Sequence, residues 1–112
     1  TTALWKKYIF IAAFATLTTY YDTTIGDIYE HHHQEAKELL DEIATFAQET
    51  KNIDIFEDVQ KALQTAQSLP YNSSTSMHLD FKNGKKTELE NLSGYVQKPF
   101  MQKLYNELKK RA

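Results

Sequence analysis

The sequence has 112 residues, 41% of them apolar and 12% aromatic, which suits one domain with a core of its own. Thirteen Lys and Arg against fifteen Asp and Glu leave a formal charge of -2, and this excludes the basic footprint that nucleic acid or an anionic membrane surface would demand. Cysteine is absent, so disulfides, thiolate nucleophiles and cysteine-ligated zinc are ruled out, and a reducing compartment, by default the cytoplasm, is the expected setting.

The chain begins with "LWKKYIFIAAFATL", two lysines followed by an apolar run, which is the layout of a secretory leader. The run is shorter than the roughly 20 residues that cross a bilayer, and threonines and tyrosines extend the pattern through Tyr21, where a leader would already have been cleaved. Residues 3–21 are therefore expected to form a helix buried at the centre of a bundle, apolar nearly all round its middle. Thr1 in place of Met suggests a piece excised from a longer protein. Asp22, two threonines and Gly26 in "YYDTTIGDIYE" predict a turn or a short helical piece.

Next, "HHHQEAKELLDEIATFAQET" spaces Ala36, Leu39, Leu40, Ile43, Ala44, Phe46 and Ala47 at threes and fours, which predicts an amphipathic surface helix. A further helix from about Phe56 to Leu69 is expected to bury Phe56, Val59, Leu63 and Ala66 and to stop at Pro70. "YNSS" offers caps for a helix running to about Phe81, "KNGKK" reads as a turn, and Thr87 can cap a helix whose face carries Leu89, Leu92 and Tyr95. Pro99 starts a last helix with cations in its final turn, where the helix dipole favours them. The sum is an all-α domain: a compact bundle of six or seven helices spanning residues 1–112.

Few residues stand out chemically. His31, His32 and His33 invite a metal, but consecutive helical residues point about 100° apart and cannot converge on one ion. A solvated helix start is the better account, and no metal ligands are assigned. Lys7 lies near the start of the most apolar helix, where a lysine either snorkels to water or serves a pocket; Lys6 is its ordinary solvated neighbour. Ser76 and Glu88 are polar residues that periodicity would turn toward the interior. They sit beside Met77 and Leu89 and near helix starts, so capping and facing a crevice are both open readings.

Taken together, these stretches resemble the C-terminal domain of the ketopantoate reductase (2-dehydropantoate 2-reductase) family. The family's "W-x-K-L" helix, followed by "N-P-L-T-A" and "N-G-E-L-L", is similar to "LWKKY", "ATLTT" and "IGDIY" here. Its "SSM-x-x-D…G-x-x-T-E-I-x-x-x-x-G" is similar to "TSMHLDFKNGKKTELENLSG", residues 75–94, with the glycine turn and both spacings kept. The resemblance covers essentially the whole chain.

It implies a helical bundle like that of 6-phosphogluconate dehydrogenase-type enzymes, closing over an N-terminal Rossmann domain that binds NADP and that this chain lacks. The activity implied is reduction of the keto group of a 2-oxo acid, ketopantoate in pantothenate biosynthesis, with the isolated domain inactive. Lys7 falls at the family's catalytic lysine, which donates a proton to the carbonyl oxygen. Ser76 falls at a substrate-binding serine, and Glu88 at a glutamate that binds a substrate hydroxyl and helps to order the lysine. Three family asparagines fall on Ile11, Ala15 and Ile25, whose side chains neither donate nor accept. That departure points toward a more apolar 2-oxo acid.

The competing expectation is a non-catalytic dimerisation or regulatory module that keeps the family fold. Tyr8, Tyr20, Tyr21 and Tyr29 would serve either the contact with the Rossmann domain or a homodimer interface.

Overall fold

The computed structural model describes residues 2–112. Seven helices follow in order: α1 (Thr2–Tyr21), α2 (Ile25–His31), α3 (His33–Lys51), α4 (Glu57–Ser68), α5 (Ser76–Lys82), α6 (Leu89–Leu92) and α7 (Pro99–Arg111). No strand occurs among the described residues, and none of their helices is long and apolar enough to cross a membrane.

Helix α1 has no polar face along its second half, so every side needs a neighbour, and it packs against all six other helices. Ile9, Phe14 and Leu17 are wholly buried, each contributing about 1.5–3 kcal/mol by leaving water. Ala12, Ala13 and Ala15 let the surrounding helices come close. The threonines at its end can be buried because they satisfy themselves. The Thr18 and Thr19 hydroxyls donate to the carbonyls of Phe14 and Ala15 one turn back, both at 2.7 Å. Asp22 then takes a left-handed conformation, φ 51°, and ends the helix.

The first turn of α2 is satisfied from a distant loop. Thr24 caps it by accepting from the Asp27 amide at 3.2 Å, while the amides of Ile25 and Gly26 donate to the carbonyls of Ser73 and Tyr71 at 2.8 and 3.1 Å. This close approach requires Gly26, where a Cβ would stand 2.6 Å from the Tyr71 carbonyl oxygen and 2.7 Å from its Cα.

Helix α3 buries the seven residues its spacing predicts and ends on Asn52 in the left-handed conformation, φ 55°. Helix α4 buries Val59, Leu63 and Ala66, but Phe56 is 46% exposed. It stands at the N-cap position, ahead of the apolar stripe that begins at Val59, which corrects the expectation that it is core. The cap of α5 is Thr75, whose hydroxyl accepts from the His78 amide at 3.2 Å, rather than a residue of "YNSS". Gly84 supplies the expected turn at φ 69°. Helix α6 is a single turn, so Tyr95 lies beyond it. Its exposed ring instead packs against Trp5, Tyr8 and Phe46.

Pro99 is the first residue of α7, and the next two free amides, of Phe100 and Met101, each donate at 2.8 Å to a carboxylate oxygen of Glu42 from α3. A side chain from another helix thus caps α7.

Candidate active site

Helical periodicity puts Lys7, Ile11, Ala15 and Thr18 on one side of α1. Toward the end of the helix this side is covered. Ala15 is packed with Met77 of α5 and Leu89 of α6, and the Thr18 hydroxyl is 2.8 Å from that of Thr75. Thr18 donates to its own helix, so Thr75 is the donor in that pair. Toward the start the side is open: Lys7 is exposed, and Ile11 is 47% exposed.

Helix α6 is held beside the open half by Tyr8, whose hydroxyl lies 3.1 Å from the carbonyls of both Asn91 and Leu92. Burial, reinforced by the neighbouring Tyr95, raises the Tyr8 phenol above its ordinary value, so it stays a donor at any physiological pH. Deeper in, the buried hydroxyls of Thr16 and Ser93 meet at 2.6 Å and tie α1 to the end of α6.

Ser76 and Glu88 are both exposed, which corrects the expectation that periodicity turns them inward. Ser76 is the first residue of α5 and Glu88 immediately precedes α6, and in each case the inward-facing position is the next one, Met77 or Leu89. Neither serves as a side-chain cap, since Thr75 caps α5 and the Thr87 hydroxyl accepts from the Leu89 amide at 3.3 Å. The Glu88 carboxylate accepts from the Asn91 side chain at 3.1 Å. Lys7 and Glu88 form no ion pair; among the described residues the lysine ion pairs are those of Lys37, Lys98 and Lys110. The fold thus brings Lys7, Ser76 and Glu88 to α1 and to the starts of two helices packed on it, α5 and α6, with no hydrogen bond or ion pair between them.

The three positions lacking asparagine part company. Ala15 lies in the contact between α1, α5 and α6, and Ile25 is in the main core, while Ile11 alone reaches the surface. The histidines also differ from a uniformly solvated helix start. His31 ends α2 and is exposed, His32 joins the two helices, and His33 begins α3. The His32 ring stacks on Tyr21 at 3.8 Å and its Nδ1 lies 2.9 Å from Glu35. Tyr20 and Tyr29 also have partners within the domain, Arg111 and His33 respectively.

A second polar group beside Ser76 went unread in the sequence. His78 is 7% exposed, and both its nitrogens are engaged: Nδ1 lies 2.9 Å from the Ser74 hydroxyl, and Nε2 lies 2.6 Å from the Asp22 carboxylate. The histidine hydrogen bond is the main cause holding the Asp22 carboxyl below its usual value, and Lys82 adds to it. Its sequence signal is Ser74 and His78 at a helical i, i+4 spacing, but Asp22 is 56 residues away.

A central helix that leaves Lys7 exposed, with Ser76 and Glu88 exposed at the starts of two helices packed on it, defines an all-helical domain. A family model described as "Ketopantoate reductase PanE/ApbA C terminal" matches residues 1–108. The chain belongs to the ketopantoate reductase family, of which it is the C-terminal domain. It is 33% identical over 95 residues to "Uncharacterized oxidoreductase YkpB" of Bacillus subtilis (strain 168), an alignment covering 83% of this chain and 31% of that protein. The chain therefore spans about a third of the length of this curated relative. No solved structure matches it significantly.

Proposed function

We propose that this chain is the substrate-binding and proton-donating part of an NADPH-dependent 2-oxo acid reductase. The observation that carries the reading is the open side of α1. Lys7 and Ile11 are left uncovered there, α5 and α6 close over Ala15 and Thr18, and Ser76 and Glu88 are exposed at the starts of these two helices. Leu79, one turn after Ser76, is 50% exposed, so exposed apolar surface occurs on α5 as well as at Ile11 on α1. Such a surface suits closure against a second domain.

The eight steps from Lys7 to Ala15 rise about 12 Å along the helix, room for a small molecule lying over Ile11 within reach of the lysine. The described residues form no strand and no glycine-rich phosphate turn, so a nicotinamide nucleotide would be held by the rest of the full-length protein. When bound, it supplies the hydride. The chain's own part is on the other atom of the carbonyl. Lys7 Nζ donates a proton to the oxygen as negative charge gathers there, and the product is a 2-hydroxy acid. Ser76 and Glu88 hold the substrate's polar groups.

Ile11 offers a methyl surface where the family has an amide, and this favours a 2-oxo acid with an apolar side chain over ketopantoate with its hydroxyl. The test is NADPH oxidation by the full-length protein with ketopantoate and with its analogue lacking the hydroxyl group. The analogue should be preferred, and Lys7→Ala should lower kcat by about 10²-fold or more. An undiminished rate in Lys7→Ala would remove the proton donor from the mechanism.

A further inference from the structure

Ser76 lacks a tertiary tie of its own, yet the residues on both sides of it are fastened. The Ser73 carbonyl accepts from the Ile25 amide at 2.8 Å. The Thr75 hydroxyl reaches Thr18 on α1 at 2.8 Å. Ser74 and His78, two residues before and two after Ser76, are joined at 2.9 Å, and the same imidazole is joined to Asp22, just past the end of α1, at 2.6 Å.

Helix α5 has seven residues, too few to persist without outside support. Met77 anchors its buried side against Ala15 and Leu89, and these ties set the direction of its first turn. We propose that His78 is a positioning residue for substrate binding: through Ser74 and Asp22 it pins the start of α5 to the end of α1 and so fixes where Ser76 points. The inference rests on the reading of Ser76 as a substrate-binding serine.

The chemistry of the ring explains the choice. Imidazole has two nitrogens on opposite edges, so one side chain can join a hydroxyl and a carboxylate that approach from different directions. The link also tolerates protonation, because Nε2 donates to Asp22 in either state while the Ser74 hydroxyl rotates to accept from Nδ1 or donate to it. Lys82 and Arg111 line the same hollow as Asp22 and His78; the histidine hydrogen bond chiefly, and the charge of Lys82 to a lesser degree, favour the ionised aspartate. An aliphatic side chain of similar volume would fill the space and hold nothing in register. Since Lys7 stands on α1, apart from these ties, loosening the start of α5 should weaken substrate binding more than the chemical step.

The full-length protein would be compared with His78→Leu, Ser74→Ala, His78→Gln and Ser76→Ala variants and the His78→Leu/Ser76→Ala double variant. Amide hydrogen exchange across residues 73–79 and steady-state kinetics with the 2-oxo acid would be measured for each. His78→Leu and Ser74→Ala should speed exchange in that segment while leaving α3 and α7 protected. They should raise KM by about tenfold, the scale of one lost substrate hydrogen bond, with kcat within about threefold. His78→Gln, whose amide nitrogen replaces Nε2 and keeps the Asp22 link but not the Ser74 one, should lose about as much as Ser74→Ala and no more than His78→Leu.

In a Ser76→Ala background His78→Leu should raise KM no further, because its effect passes through that serine. Unchanged exchange, or a KM rise that persists undiminished without Ser76, would overturn the positioning role in an active enzyme. Wild-type protein that reduces no 2-oxo acid would instead overturn the reductase reading, and the role assigned to Ser76 with it.

Discussion

Replacing Glu42 by alanine should be the most costly change to a half-buried surface side chain in this domain. Its two carboxylate oxygens accept from the Phe100 and Met101 amides at 2.8 Å each, and Pro99 leaves these as the first amides of α7 in need of partners. Hydrogen bonds to a charged group contribute about 1.5–3 kcal/mol each when water cannot replace them. Glu42 is half-buried, so water recovers part of that loss. Removal of an ordinary helix cap costs about 0.5–2 kcal/mol. These two bounds place Glu42→Ala at about 2–3 kcal/mol. For a domain of this size that is a fall in Tm of roughly 8–12 °C, read by far-UV circular dichroism and by urea titration. Glu42→Gln, which keeps an acceptor without the charge, should lose about half as much. Glu38→Ala, on the exposed surface of the same helix, should stay within about 0.5 kcal/mol of wild type. A Glu42→Ala change no larger than that of Glu38→Ala would refute the idea that α7 depends on a cap from α3.

Gly26→Ala sets a methyl against the backbone of Tyr71 at 2.6 Å, where no rotamer change gives relief. Urea titration should show a loss of at least about 3 kcal/mol, and a loss under 1 kcal/mol would mean that the Tyr71 loop moves freely. Acid should loosen the same region. Asp22 and Asp27 are both held below the ordinary carboxyl value, chiefly by hydrogen bonds from His78 and Thr23 respectively. The stability they supply is therefore present above the unfolded value near pH 4 and lost as pH falls through the lowered folded values. Asp22→Asn should flatten the stability curve below about pH 4, and an unaltered slope would remove Asp22 from the account. Finally, Ile11→Asn should shift kcat/KM of the full-length protein toward ketopantoate relative to its analogue without the hydroxyl, while the same change at the buried Ala15 or Ile25 should mainly destabilise. No shift in that ratio would show that Ile11 does not line the site.

The sequence was most legible where one residue's periodicity or punctuation is enough. The spacing of Leu39, Leu40, Ile43 and Ala47 marks the buried face of α3, and Pro70 and Pro99 mark a stop and a start. The apolar run from Ile9 to Leu17 marks the one helix that neighbours must enclose. It was least legible at the ends of short helices. Periodicity assigns a face but not the residue at which the face begins, so Phe56, Ser76 and Glu88 were turned inward although each stands one to three positions ahead of the first buried residue. The ties that define the candidate site join residues far apart in the chain, Asp22 with His78, Thr18 with Thr75, Tyr8 with Asn91. Local patterns carry no signal for such pairs. The roles of Lys7 and Ser76 were suggested by family likeness, since a lysine and a serine on exposed turns carry no chemical mark of their own.

Because α1 precedes the six helices that enclose it, its synthesis has an awkward order. The helix leaves the ribosome with Ile9, Phe14 and Leu17 bare, and α7, the last wall against it, follows some 80 residues later. At about 5–20 residues per second, that leaves the nascent helix without its full cover for roughly 4–16 seconds. Over that interval a trigger-type chaperone that holds apolar segments at the tunnel exit would have more to do for this domain than for one whose central element is made last.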